Sequence, residues 1–166
     1  MNRSSKTTQM IATGVFGLVM AAGVYGSERD YRYFAEISAG QSRIATGPLS
    51  EGLNAMKVGA GVASQRWGTL SLEHMTTLDD INGFDWDVTL VRTQFESDPL
   101  SDGWNWYASL TANRVDAGGN VSASTGFNVG FGAGVRYQIS NHRLFVNGDL
   151  YNSDFGYLGG GYRYLF

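Results

Sequence analysis

From Phe127 to Ile139 the chain reads FNVGFGAGVRYQI, and apolar residues fall on every second position. Phe127, Val129, Phe131, Ala133, Val135, Tyr137 and Ile139 share one face, while Asn128, Gly130, Gly132, Gly134, Arg136 and Gln138 share the other. Side chains of a strand point alternately to opposite faces, so this period of two predicts one long amphipathic strand. It is longer than the usual soluble strand of about 5–6 residues. It suits the roughly 9–11 residues that a tilted strand needs to cross a bilayer. Similar segments recur near 30–40, 54–65, 67–77, 84–95, 103–113, 142–151 and 156–166.

Eight strands are therefore predicted. Their connections differ in length: long around 41–53 and 114–126, medium at 78–83 and 96–102, short at 152–155 and tight at 65–67 and 139–142. Both prolines, Pro48 and Pro99, fall in connections, where a missing N–H breaks no ladder bond. DDING (79–83) and DAGGN (116–120) carry the Gly, Asn and Asp chemistry of turns. Long and short links in antiparallel succession fit an up-and-down barrel with short turns on one side and larger loops on the other. The 96–102 link is longer than that scheme prefers.

The first 26 residues follow a different rule. Arg3 and Lys6 precede a nearly unbroken apolar run, Met10 to Tyr25, with small residues before Ser27. This is the layout of a removable export signal, and the run is short for a helical span of about 20 residues. The alternative is an uncleaved anchor. Cleavage after Gly26 leaves residues 27–166 as a single barrel domain. Loss of Arg3 and Lys6 from the 12 basic residues leaves ten against 15 acidic ones. That acidic balance argues against nucleic acid. There is no cysteine, which excludes disulfides and thiolate metal sites. Charged residues make up only 16% of the chain, against roughly 25% in an average soluble protein. A water-facing wall needs more charge than that.

Composition thus bears on which face is outside. A soluble ligand-binding barrel alternates too, but its outer face is crowded with Lys, Glu and Arg. Here the non-apolar face is mainly Gly, Asn, Ser, Thr and Tyr with single charges, which suits a closed interior, and the apolar face suits lipid. Tyr31, Tyr33, Trp104, Trp106, Tyr137, Tyr162, Tyr164 and Phe166 are expected near one end of the barrel, and Phe84, Trp86 and Phe127 near the other. Two aromatic belts flanking an apolar band are the girdles of a membrane barrel. On this reading Arg92 and Gln94, which share parity with Phe84 and Trp86, snorkel to headgroups.

The final residues, GYRYLF (161–166), alternate aromatic rings up to Phe166. With Gly161, Tyr164 and Phe166 in place, they resemble the terminal strand signal of small eight-stranded outer-membrane barrels, the class of the OmpA transmembrane domain and OmpX. The polar position of that signal is occupied here by Gly159. The resemblance implies an all-β, eight-stranded antiparallel up-and-down transmembrane barrel, made after an N-terminal signal peptide and located in the outer membrane of a Gram-negative cell. It also implies a monomer whose partners are outer-membrane lipids, lipopolysaccharide and the barrel-assembly machinery.

For the interior, strand parity selects Arg32, Glu36, Lys57, Glu73, Asp85, Asp87, Arg136, Asn147, Asp149 and Arg163. Charges in a low-dielectric interior must pair. Two readings follow: a polar plug that fills and stiffens the barrel, or a gate on a narrow ion path. Eight strands enclose a space that side chains about fill, which favours the plug. No cofactor is called for. An outer-membrane lipid-modifying enzyme, of the lipid A deacylase or acyltransferase kind, is the alternative, together with the soluble binding barrel. Ser71 and Glu73 lie on one face of their strand and His74 on the other, so they make no triad there. His142 sits in a tight turn. Asp79, Asp80 and Asp116 suit turns as well as they suit calcium.

Overall fold

A computed structural model of the chain describes residues 31–44, 52–64, 68–80, 83–97, 103–118 and 126–166; the expected signal peptide lies outside them. Eight strands form a closed antiparallel barrel in sequence order. They are β1 (Tyr31–Ile44), β2 (Gly52–Ser64), β3 (Gly68–Thr77), β4 (Trp86–Glu96), β5 (Trp104–Ala117), β6 (Gly126–Ile139), β7 (His142–Leu150) and β8 (Phe155–Leu165). The last strand closes on the first, with Glu36 opposite Arg163 and the Phe166 amide donating to the Tyr33 carbonyl at 2.8 Å. We call the end where β1 begins and β8 finishes the near end, and the other the far end.

Strand count and order agree with the alternation in the sequence. β1 and β5 run four residues further than their patterns suggested. The long connections shrink accordingly to 45–51 and 118–125. The added residues still alternate: Ser42 and Ile44 are buried while Gln41 and Arg43 are exposed.

Strand pairing fixes the stagger. Following paired residues once around, Tyr33 leads to Val62, Leu70, Thr93, Leu110, Phe131, Leu150, Gly156 and then Arg43. The circuit returns to β1 ten residues beyond its start. This shear tilts the strands and sets the bore, which glycines then adjust. A Cβ on Gly61, Gly130 or Gly134, all facing inward, would overlap a neighbouring carbonyl or ring. Only a bare backbone leaves space there for the side chains that fill the interior.

Once the stagger is allowed for, the two faces exchange character along the barrel axis. Through the near end and the middle, the outer wall is apolar and the interior mainly polar, apart from a small buried cluster of Phe34, Ala63 and Leu165 at the near end. Leu70, Leu72, Val91, Leu110, Phe131 and Val146 are all exposed on that outer wall. At the far end the outer wall carries Gln41, Arg43, Asn54, Thr76, Asp85, Asp87, Arg114 and Asp116. Inside, Ile44, Leu53, Met75, Phe84, Trp86, Val88, Val115, Tyr151 and Phe155 form one buried apolar cluster.

β4 shows the exchange within a single strand. Its buried face runs Trp86, Val88, Leu90 and then Arg92, Gln94; its outer face runs Asp87, Thr89 and then Val91, Phe95. The expected orientation of this strand is thereby corrected. Asp85 is exposed and Asp87 is on the outer wall, so neither belongs to the interior network. Phe84 and Trp86 are no outer girdle; they are 3% and 1% exposed in the far-end core. Arg92 and Gln94 do not snorkel outward but lie inside, 1% and 2% exposed. The physical reason is that a face can be apolar because it meets lipid or because it meets a core, and one strand can pass from the first condition to the second.

Candidate functional site

The interior is built in three tiers. The far tier is the apolar cluster, with Trp86 at its centre. Its ring lies 5.5 Å from that of Phe84 and 5.7 Å from that of Phe155, and its Nε1 donates to Ser42 Oγ at 2.7 Å. Ser42 in turn donates to the Gly156 carbonyl, so the indole N–H is satisfied while the ring is packed.

The middle tier is a quartet of charges from four strands. Lys57 of β2 lies 2.9 Å from Asp149 and 3.4 Å from Glu73. Arg92 of β4 grips Asp149 of β7 through two nitrogens at 2.7 Å each, and its Nε is 2.9 Å from Glu73 of β3. Two cations meet two anions, and all four residues are buried. Ser71 Oγ donates to Glu73 at 2.6 Å and Asn147 Nδ2 to Asp149 at 2.7 Å. The Lys57 ammonium also lies 4.7 Å from the centre of the Tyr157 ring. Because Asp149 arrives from β7 while its cations come from β2 and β4, these bonds tie opposite walls together. Balanced charge with forked hydrogen bonding is the condition under which a buried ion network holds.

The near tier is richer in arginine. Arg163 donates to Glu36 at 2.8 Å, and Arg163 and Arg136 both donate to Gln94 Oε1, at 2.9 and 3.0 Å. Arg136 also pairs with Glu96 at 2.5 Å, and Arg143 reaches the same carboxylate at 3.4 Å. The guanidinium of Arg163 lies 3.9 Å from the centre of the Phe34 ring, and that of Arg136 lies 4.7 Å from that of Tyr107. Stacking orients each planar group while its edge makes hydrogen bonds. Arg32 stands half-buried at the mouth and donates to Asn141.

Of the interior residues expected from parity, Glu36, Lys57, Glu73, Arg136, Asn147, Asp149 and Arg163 lie in these tiers, and Arg32 at their rim. Asp85 and Asp87 do not. Arg92, Gln94 and Glu96 were missed. The available signal was the polar turn of their own face after Leu90, in a strand whose other face turns apolar at Val91.

Outside, Tyr31, Tyr33, Trp104, Trp106, Tyr137, Tyr162, Tyr164 and Phe166 all stand on the outer wall at the near end. Trp104 packs on Tyr137, His142 on Tyr164, and Tyr164 edge-on against Phe166. Phe127 alone of the expected far belt faces outward, 87% exposed. Gly161 faces inward against the Phe145 ring and Ser38, where a Cβ would overlap both, so packing already requires it.

The expected separation of Ser71 and Glu73 from His74 is what the strand presents: the first two are interior, while His74 is on the outer wall beside Thr89. His142 Nδ1 lies 2.5 Å from the Tyr162 hydroxyl on the outer wall. Asp79 accepts from Asn54, Asp80 caps the Gly83 amide, and Asp116 pairs with Arg114. These are structural contacts. Among the described residues no group of three metal-ligating side chains converges.

An inside-out middle and a ring of outward-facing aromatics are features of a barrel made for lipid. Solved structures supply the comparison. Neisserial surface protein A superposes with a TM-score of 0.56 over 85% of this chain and 100% of its own, at 16% identity. The N-terminal barrel domain of Pseudomonas aeruginosa OprF gives 0.54 over 80% and 97%, also at 16%. The chain has the fold of these small eight-stranded barrels. No family model matches the sequence, and no curated protein matches it.

Proposed function

We propose that the protein is a monomeric outer-membrane barrel of a Gram-negative cell, exported with a removable signal, that contributes to the envelope mechanically and presents its far end outside the cell. One observation supports this above the rest: among the described residues, buried side chains meet across the bore in all three tiers, from Arg163 and Glu36 through the quartet to the Trp86 cluster. A conducting channel needs a continuous wet path, and an enzyme needs an accessible nucleophile with a base in reach. Tied walls and a packed core instead give a rigid post. The polar outer wall of the far end matches a segment standing above the bilayer. The near-end aromatics, with Phe166 among them, fit the periplasmic interface and the strand that the assembly machinery reads first.

The test is conductance across planar bilayers alongside gel mobility with and without boiling. The expected result is a heat-dependent mobility shift with no steady current. Sustained single-channel openings from the native protein would overturn the closed-post reading. Unchanged lipid A in cells with and without the protein is expected on the same reading; loss of an acyl chain or gain of one would replace it with an enzyme.

A further inference from the structure

The glycines of this barrel fall into two groups. Those facing inward have no space for a side chain, as at Gly61, Gly132 and Gly159. Gly148, on the outer wall, is different. A Cβ there would meet only Leu158 Cδ1, at an ordinary 3.8 Å, and its φ is not in the left-handed region. Neither packing nor backbone requires glycine, although glycine weakens a strand.

Around it the wall of β7, β8 and β1 is hollowed into a groove of about 410 Å³ lined by Gln41, Arg43, Gly148, Leu150, Gly156 and Leu158, together with the turn at 152–154. The floor is thin because Gly148 and Gly156 carry no side chain, and Leu150 and Leu158 flank it. The groove spans the border where the apolar band gives way to the polar far end. At that border stands Arg43, exposed, with none of the ion pairs of the described residues reaching it. Asp154, at the same rim, is held in the turn by Ser153 and Asn152.

We propose that this groove seats one acyl chain of a phosphate-bearing lipid of the outer leaflet, with Arg43 on the phosphate. The inference rests on the outer-membrane reading above. Two features choose a lipid over a second barrel. A groove of about 410 Å³, lined by Leu150 and Leu158 beside the bare backbone of Gly148 and Gly156, is of a size for a single acyl chain. The Arg43 guanidinium, which no ion pair among the described residues reaches, stands at the depth where a chain that enters the band must leave its headgroup, and arginine suits phosphate through forked hydrogen bonds.

The experiment is native mass spectrometry of the barrel purified in mild detergent, titrated with lipid A and, separately, with a diacylglycerol that has no phosphate. Wild type should retain one lipid A. Arg43→Gln should weaken lipid A by about tenfold, the loss of one charge-assisted contact, and leave diacylglycerol unchanged. Gly148→Leu should abolish retention of both. It should keep the heat-dependent mobility shift, since there is space for the new side chain. Equal lipid retention by wild type and Gly148→Leu overturns the proposal. So does a lipid-free dimer that Gly148→Leu dissociates, which would make the groove a contact between barrels. Absence of the mobility shift in wild type would instead sink the membrane reading itself, so the two failures are distinguishable.

Discussion

The far third of this barrel and the rest of it obey opposite rules although the same eight strands run through both. In the far third, Trp86, Phe155, Met75 and Leu53 are inside and Asp85, Asp87, Arg114 and Asp116 are outside. That is how a soluble protein is made. In the remainder, Arg92, Asp149, Lys57 and Glu73 are inside and Leu72, Leu110 and Phe131 outside. The comparison teaches that the backbone is indifferent to this choice. Alternation gives every strand two faces, and the solvent beside each stretch of wall decides which face is apolar. The outer wall turns from apolar to polar at Val91 to Thr89 on β4, Ala39 to Gln41 on β1 and Ala112 to Arg114 on β5.

Paired substitutions at matched depths should break or sharpen this contrast. The largest effect is expected inside the polar tier. Asp149→Ala leaves Lys57 and Arg92 facing one remaining carboxylate in a buried site, and should cost about 3–5 kcal/mol. Asp87→Ala, outside at the far end, removes a carboxylate from a water-facing wall and should change stability by less than about 0.5 kcal/mol. Urea unfolding in lipid vesicles measures both. Equal losses would show that the two carboxylates share an environment and that the inversion is wrong.

Trp86→Ala tests the apolar tier. It empties the centre of a packed cluster and removes the indole N–H that donates to Ser42 Oγ, so a loss of about 3–5 kcal/mol is expected by the same assay. An outer girdle ring would cost far less on removal and would show lipid-dependent fluorescence. Quenching by brominated acyl chains therefore provides a second readout: a protein keeping only this tryptophan should be insensitive to them.

These residues also show how far the sequence could be read. Strand number, order and the near-end belt follow from alternation and from aromatics at Tyr31, Trp104, Trp106 and Tyr162, because a single rule governs that stretch. Trp86 and Asp87 defeated the same rule. Phe84, Trp86, Val88 and Leu90 look like a lipid face when read alone, since a period of two reports that faces differ and is silent on which meets water. The pairing of Asp149 with Arg92, 57 residues away, was also out of reach. Parity places a charge inside, whereas the shear decides which strands face each other across the bore.

A smaller effect is expected on the outer wall. Phe131→Arg, within the apolar band, should destabilise by about 2–4 kcal/mol if that position is near mid-bilayer, whereas Thr76→Arg, on the far-end wall, should cost about 0–1 kcal/mol. Measuring both in bilayers of different thickness sharpens the comparison. A thicker bilayer should raise the cost at Thr76 and leave Phe131 nearly unchanged. No dependence at either site would mean that the polar wall does not mark the bilayer's edge.

The smallest effect separates the two groups of glycine. Gly161→Ala places a methyl against the Phe145 ring, Ser38 and the Ile37 carbonyl, and overpacking of this kind costs about 1–3 kcal/mol. Gly160→Ala, one residue away and facing outward, meets the Phe145 carbonyl at 3.4 Å and Val146 Cγ2 at 3.7 Å, contacts the wall can accommodate. It should be neutral or stabilising by a few tenths of a kcal/mol, because alanine orders a strand more readily than glycine does. Adjacent residues would then differ by roughly 1–3 kcal/mol for one methyl group, and the sign would follow the face alone. If Gly160→Ala proved the more damaging, the outward glycines would be serving the barrel itself. The open wall around Gly148 would then be a consequence of folding rather than space kept for something outside the chain.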